Sequence, residues 1–479
     1  MFTVSSDSGV RIDKQLVSSL ELRNRHFRLD PSNYAEEVES IRRHLKTLGV
    51  ETPTISGLQG FKEVTLPNRF TRVFMENSAY GVPMIGTSSM LMARLPDNAR
   101  IQISSSKGKH QLLVRKGDIL LSRSGSVGSV ILCGNSYTTF AASDDCLRLR
   151  FTWEVAGFVT AYLESQIGRV LLTRDGHGKV IRHLKERDIK NLRIPAVNPV
   201  MLARINNLRT KAAEVLDEAR TAIETAETII KQSFTFLGRS VKREKWLNIE
   251  SGSFVTGIAL TTENRLDPHY LEPRAASLRE WGSKVEGEKL GQIADVWGVS
   301  RFKRHRADKG HGTPLYSSAD IMRARISPSA HLSASRNETP VRRCIVQEGD
   351  ILVCCSGALG GIVGRAVIAG KALSGQAVSQ HALRVRVTNP KYEAEYVAAV
   401  LSSRQYGYPL MTSLRHGKDV PEIDSARLKR IPIPLLSSEL QHKIAASMRV
   451  FKNKLDEYNN LFEKAQSVLA LELEWKDPD

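Results

Sequence analysis

The chain has 479 residues, with 69 Lys and Arg against 51 Asp and Glu, so its formal net charge is +18. That length fits two to four domains at roughly 100–200 residues each, while 41% hydrophobic and 25% charged residues exclude global disorder and a small disulfide scaffold. No apolar run reaches the ~18 residues needed to span a bilayer. The first residues lack the basic-then-apolar order of a secretory signal, and five cysteines without a C-x-x-C pair fit a reducing cytosol. The positive excess asks for a polyanion, nucleic acid first.

In chain order, residues 35–48 are predicted to be helical, and residues 111–114, 119–121, 127–132 and 147–151 are predicted to be short strands broken by Gly, Ser and Asn. A second helix is expected over 156–173. Residues 199–236 contain no internal Pro or Gly and are rich in Ala, Leu, Glu and Lys, the composition of a long helix.

The second half then repeats the first. Arg28-Leu29-Asp30-Pro31 returns as Arg265-Leu266-Asp267-Pro268, and Arg69-Phe70-Thr71-Arg72 as Arg301-Phe302-Lys303-Arg304. Gly81-Val82-Pro83-Met84 is answered by Gly312-Thr313-Pro314-Leu315. Gly117-Asp118-Ile119-Leu120, with Ser124-Gly125 and Gly128, returns as Gly349-Asp350-Ile351-Leu352, Ser356-Gly357 and Gly360. Leu147-Arg148-Leu149-Arg150 matches Leu383-Arg384-Val385-Arg386, His177-Gly178-Lys179 matches His416-Gly417-Lys418, and Ile194-Pro195 matches Ile433-Pro434. Seven pairs in one order are not chance; the chain is an internal repeat.

A second long helix is predicted over 438–473, where Ile444, Met448, Phe451, Leu455, Tyr458, Phe462, Ala465 and Leu469 form a heptad seam. The first helix has the same phase in Ile205, Arg209, Ala212, Leu216, Ala219, Ile223, Ala226 and Ile230, weaker for its small residues and one arginine. The expected fold class is therefore α+β. Two pseudo-repeated domains, 1–197 and 250–435, are each followed by a long helix, 198–240 and 436–473, and the helices pack as an antiparallel coiled coil that separates the halves.

Motifs of catalysis are missing. The Ser-Gly-x-x-Gly elements lack the Gly-Lys-Ser/Thr of a P-loop and read as turns with glycines at positive φ. Asp267-Pro268-His269-Tyr270 resembles the Asp-Pro-Pro-Tyr/Phe loop of amino-methyltransferases, with the wrong third residue and no cofactor-binding glycine turn beside it. The histidines and cysteines show no metal-ligand spacing, and no Gly-x-Ser-x-Gly elbow is present. The positive signal is basic: Arg301, Lys303, Arg304 and Arg306 surround Phe302, and Arg69 and Arg72 surround Phe70. Arginine suits guanine edges and phosphates alike, and lysine neutralises phosphate. Lys179 and Lys418 are further candidates for phosphate contact.

The doubled order of these elements, with a long helix closing each copy, resembles the specificity subunit of type I restriction-modification systems across nearly the whole chain. The resemblance implies two target recognition domains, two spacer helices and no chemistry in this chain. It implies double-stranded DNA as ligand and DNA methyltransferase subunits as partners, with S-adenosylmethionine on those partners. Restriction and translocase subunits can join, the setting is cytoplasmic, and no membrane or metal is involved. Ile205, Leu216, Ile223, Ile230, Ile444, Phe451, Leu455, Phe462 and Leu469 become spacer and docking positions. Two other readings stay open: a DNA-targeting factor of another methylation-based phage-defence system, and a helical interaction scaffold with incidental basic surface.

Overall fold

In a strand, Leu147-Arg148-Leu149-Arg150 must put its leucines on one face and its arginines on the other. The computed structural model does this in both halves. It describes residues 2–4, 15–17, 36–67, 72–75, 81–96, 100–102, 112–125, 127–174, 183–234, 247–248, 253–254, 269–308, 311–333, 338–357, 361–417 and 420–475. Contacts divide the chain into two units, one of Met1–Asp217 with Asn460–Pro478, the other of Glu218–Asn459 with Asp479. Each unit thus takes part of both long helices, Pro199–Ser233 and Ser438–Glu472.

The first unit holds β1 (Phe61–Thr65), β2 (Val82–Ile85), β3 (Arg100–Ile101), β4 (Asp118–Ser122), β5 (Val130–Leu132), β6 (Ala141–Ala142) and β7 (Cys146–Phe151). An antiparallel sheet runs β1-β7-β4-β5, and a smaller one runs β3-β2-β6 with β2 and β6 parallel. The second unit holds β8 (Ala294–Trp297), β9 (Arg306–Ala307), β10 (Thr313–Tyr316), β11 (Ala330–Leu332), β12 (Ile351–Cys354), β13 (Ala366–Ile368), β14 (Ala377–Val378) and β15 (Ala382–Val387). Its sheets run β8-β15-β12-β13 and β9-β11-β10-β14, again with one parallel pair, β10·β14. Even the register is kept: Leu120 faces Arg148 as Leu352 faces Arg384.

The repeated motifs are the parts that make this architecture. Gly117 and Gly349, at φ 87° and 89°, close the turn before the central strand, a conformation that costs glycine little. Asp118 and Asp350 then accept the backbone N–H of Arg115 (2.9 Å) and Gln347 (2.8 Å). The same buried carboxylates hold Arg150 and Arg386, each at 2.7 Å. The other arginine of each strand is fully buried. Arg148 donates to the carbonyls of Leu112 and Ala142, and Arg384 to those of Cys344 and Val378, among others. One guanidinium therefore ties the larger sheet to the smaller in each unit. Burial pulls the Arg148 pKa down to about 10, so at neutral pH it stays charged, and burial lowers that of Arg384 too.

Of the strand predicted at 111–114, residues 112–114 are described: Leu113 makes an isolated bridge to Ala141, and the Leu112 carbonyl accepts from Arg148. The strand expected over 127–132 begins only at Val130, since the turn with Gly125 and Gly128 at positive φ occupies the residues before it. The helix expected over 156–173 is two, Trp153–Glu164 and Gln166–Arg174, parted at Ser165.

The long helices match their predicted spans closely. In the first unit they run antiparallel: Asn198 N–H donates to Glu472 (3.0 Å), and the Arg209 guanidinium lies 5.3 Å from the Phe462 ring centroid. Ile205, Ala213, Val468 and Leu469 join the core formed by Leu147, Leu149, Phe158 and Tyr162. Gly157 lets the Trp153–Glu164 helix approach so closely that a Cβ there would stand 2.5 Å from the Asn206 carbonyl oxygen. In the second unit Lys454 pairs with Glu218 at 2.7 Å, and Phe234, Trp281 and Tyr406 stack edge-on or tilted with centroids 5.0–5.5 Å apart. The arginine that weakened the first seam is its polar anchor: Arg209 forms two 2.8 Å hydrogen bonds to Glu164, both side chains being buried.

Removing one partner of such a pair strands the other charge in the core. Glu164→Ala should therefore cost about 3–5 kcal/mol, read as a lower urea midpoint, whereas Glu164→Leu with Arg209→Met should recover most of the loss. Equal midpoints for Glu164→Ala and the wild type would refute this account of the helix anchor.

Candidate nucleic-acid interface

Phe302 is the reason the basic segment of the second unit has a defined position. Its side chain packs against a small core of Leu315, Leu332, Val341, Cys344 and Ala377. With the ring held inward, Arg301, Lys303, Arg304 and Arg306 are all exposed. The aromatic that the sequence places among the charges is thus an anchor for them. Arg306 lies on β9, the edge strand of the smaller sheet.

Three sequence landmarks far apart in the chain meet here. The turn after β12 brings Ser356, which bridges to Glu422, and Cys355 accepts from the Ile423 N–H at 2.8 Å. Glu422 in turn pairs through both backbone groups with His416, at 2.8 Å each way, with Gly417 at φ 92° between them. Arg301, with 83% of its side chain exposed, stands 3.9 Å from the Glu422 carboxylate. Arg304 donates to the Gln380 side-chain carbonyl, and the Ser356 hydroxyl meets His381 Nδ1 at 2.6 Å. Partial burial and the Arg304 charge hold the His381 pKa below its ordinary value, opposed by Glu422. The surface is polar, rich in donors and positively biased, suited to phosphates and base edges.

The first unit rebuilds the same corner. Arg72 Nη2 lies 2.5 Å from Asp144, which precedes β7 as Gln380 precedes β15. Val73 and Phe74 beside it are exposed hydrophobics. Arg69, Lys179 and Lys418 lie outside the described residues, as do Phe70, Gly360 and the two Arg-Leu-Asp-Pro segments. Gln380, His381, Ser356, Glu422 and Asp144 were not singled out from sequence. Their signal was position: Asp144 and Gln380 stand three residues before the repeated Leu-Arg pairs.

The helix positions are placed as follows. Ile205, Leu216, Ile223, Ile230, Ile444, Phe451, Phe462 and Leu469 are buried, and Leu455 is half-buried. Asp217 accepts the backbone N–H groups of Asn135 (2.5 Å) and Ser136 (2.9 Å), and Asp456 those of Lys371 (2.9 Å) and Ala372 (3.1 Å). Each long helix thereby grips the loop after the same hairpin of its unit.

Among the described residues no group of three or more His, Cys, Asp and Glu is arranged to hold a metal ion. All five cysteines are buried and free, and burial pushes Cys146 and Cys355 up to about 11, so these thiols are not nucleophiles at neutral pH. Tyr270, the last residue of the methyltransferase-like tetrapeptide, is buried under the Arg279 guanidinium at 3.9 Å from its ring centroid, unable to grip a base. No described helix is long and apolar enough to cross a membrane.

Residues 283–465, which include the corner just described, match the family of the type I restriction modification DNA specificity domain. That stretch of the second half is what the chain shares with the family. A specificity domain of this kind serves recognition of DNA. No curated protein matches the chain significantly. Among solved structures, the type I restriction-modification S subunit from M. genitalium aligns at 15% identity over 90% of this chain and 96% of its own, with a TM-score of 0.35. The HsdS subunit from Thermoanaerobacter tengcongensis aligns at 14% identity over 89% and 96%, with a TM-score of 0.26. A structure bearing on complex assembly and conformational transition of the type I R-M system aligns at 15% identity over 88% and 95%, with a TM-score of 0.28. These overlaps are too loose to carry argument; the domain match and the geometry carry it.

If Phe302 is the anchor and the arginines are surface groups, the two should separate in a stability measurement. Phe302→Ala should cost about 1–3 kcal/mol, while Arg301→Ala with Arg304→Ala should stay within about 0.5 kcal/mol of wild type. Comparable losses of thermal midpoint in both variants would assign the arginines to the fold instead.

Proposed function

We propose that this chain reads a bipartite double-stranded DNA target, one half-site per unit, and directs DNA methyltransferase subunits to it. Residues 1–197 and 250–435 act as the two recognition domains, and the long helices act as spacer and docking surface. The methyltransferase partners bring S-adenosylmethionine; restriction and translocase subunits can join the same complex in the cytoplasm. The observation that carries this reading is the duplicated corner. An arginine held by the residue ahead of a matched strand, Arg72 with Asp144 and Arg304 with Gln380, recurs in both units, while the family match covers only the second. Two similar readers in one chain are what a two-part target requires.

Sequencing modified bases in a host that carries the chain with its neighbouring methyltransferase tests the proposal directly. A single motif of two short half-sites around a fixed gap is expected; unmodified DNA, with the two proteins failing to co-purify, would overturn it. Arg301→Ala with Arg304→Ala should weaken binding to the target and make log K less steep in log salt by about 1.8, at about 0.9 per lost phosphate contact. An unchanged salt slope removes these residues from the interface. Deleting one heptad from both long helices shortens each by about 10 Å, and the gap should contract by about three base pairs with the half-sites intact. Altered half-sites around a constant gap would sink the spacer role.

A further inference from the structure

The two corners have one framework and different chemistry, and that difference has a consequence for how each unit reads DNA. The framework is matched contact by contact. Ser143 N–H donates to the Ile85 carbonyl at 2.9 Å, as Ser379 does to Tyr316 at 2.8 Å. The Asp145 carbonyl accepts from Arg123 N–H, and the His381 carbonyl from Cys355 N–H, both at 3.0 Å. One residue earlier, the carbonyls of Ala142 and Val378 accept from the buried arginines. Residues 144 and 380 are therefore fixed at equivalent points, each under the side chain of an equivalent arginine. Their side chains differ in charge: Asp144 is a buried carboxylate that cancels Arg72, with Asp145 next to it, whereas Gln380 is a neutral amide that leaves Arg304 its charge, with His381 next to it.

We propose that Asp144 and Gln380 are specificity-determining positioning residues, each aiming one arginine and setting the charge it offers, so that the half-site of each unit is tuned by one residue independently of the other. The proposal rests on the DNA-recognition reading above. A guanidinium paired to a carboxylate has its N–H fork committed and its field cancelled, while one resting on an amide oxygen can exchange that bond for a phosphate or a guanine edge. The second unit should then contribute more to salt-dependent binding through this arginine than the first.

The test uses the full chain in complex with its methyltransferase partner, selecting from duplexes of random sequence and then titrating salt on the selected target. Gln380→Glu should flatten the salt slope by about 0.9 and shift base preference in one half-site only. Asp144→Asn should steepen the slope by a similar amount and shift preference in the other half-site only, and the restoring substitution should return the wild-type profile in each case. These readouts separate positioning from a merely structural role, which would lower the thermal midpoint and weaken both half-sites together. Unmoved selection and slope in both variants, or changes in both half-sites from either one, overturns the proposal. A wild-type complex that selects no sequence overturns the DNA-recognition reading instead.

Discussion

The structure depends on two buried guanidinium groups. Arg148 and Arg384 are each fully enclosed, and each donates to backbone carbonyls that include one from the smaller sheet, Ala142 for Arg148 and Val378 for Arg384. A buried charge is tolerated only where hydrogen bonds replace its water, and carbonyl oxygens meet that need while fixing the chain that bears them. Arginine can do this where lysine cannot, because its planar fork reaches several acceptors at once and keeps its charge. The carbonyls of Ala142 and Val378 belong to β6 and β14, two residues before those that face Arg72 and Arg304. The exposed corner is therefore positioned from inside.

A second constraint connects that interior to the helices. Asp217 and Asp456 sit in matched places on the long helices and accept two backbone N–H groups each from the loop beyond β5 and the loop beyond β13. A carboxylate receiving two N–H groups is among the stronger hydrogen-bonded arrangements available to a surface loop. It fixes the rotation of each helix about its axis relative to the sheet it packs on. With Arg209 bound to Glu164 in the first unit, and Arg404 to Glu224 in the second, the helices are parts of the units as much as connections from them.

Much of this was legible in the sequence because repetition exposes what a fold cannot change. The long helices, the Gly-Asp turn, the positive-φ glycines and the alternating Leu-Arg strand were all visible as pattern. What each arginine does was not visible: Arg148, Arg150, Arg384 and Arg386 are as basic as Arg301 and Arg304, yet the first four hold the sheets and the last two face solvent. Only three-dimensional closure separates them, since burial depends on which carbonyls and carboxylates arrive from elsewhere in the chain. Phe302 misleads in the same way, an aromatic among charges whose ring is needed by the core. Residues 112–114 have strand composition and contribute an isolated bridge at Leu113, while a long-range bond from Arg148 takes the Leu112 carbonyl. The corner residues Gln380, His381 and Glu422 lack any local signature, being ordinary polar residues until the backbone pairing of His416 with Glu422 and the bridge at Ser356 bring them together.

The distribution of likeness between the halves has a physical logic. Positions whose partners are backbone groups are nearly identical in both copies, because a carbonyl or N–H is the same whatever residue bears it. Positions whose partners are outside the chain are free to diverge, provided that the backbone beneath them is held. Asp144 and Gln380 differ in charge although the backbone beneath them is held alike, each two residues beyond a carbonyl that the buried arginine binds. The excess of positive charge is divided in the same way, part of it spent inside on carbonyls and carboxylates, as at Arg148 and Arg150, and part left on the surface, as at Arg301 and Lys303.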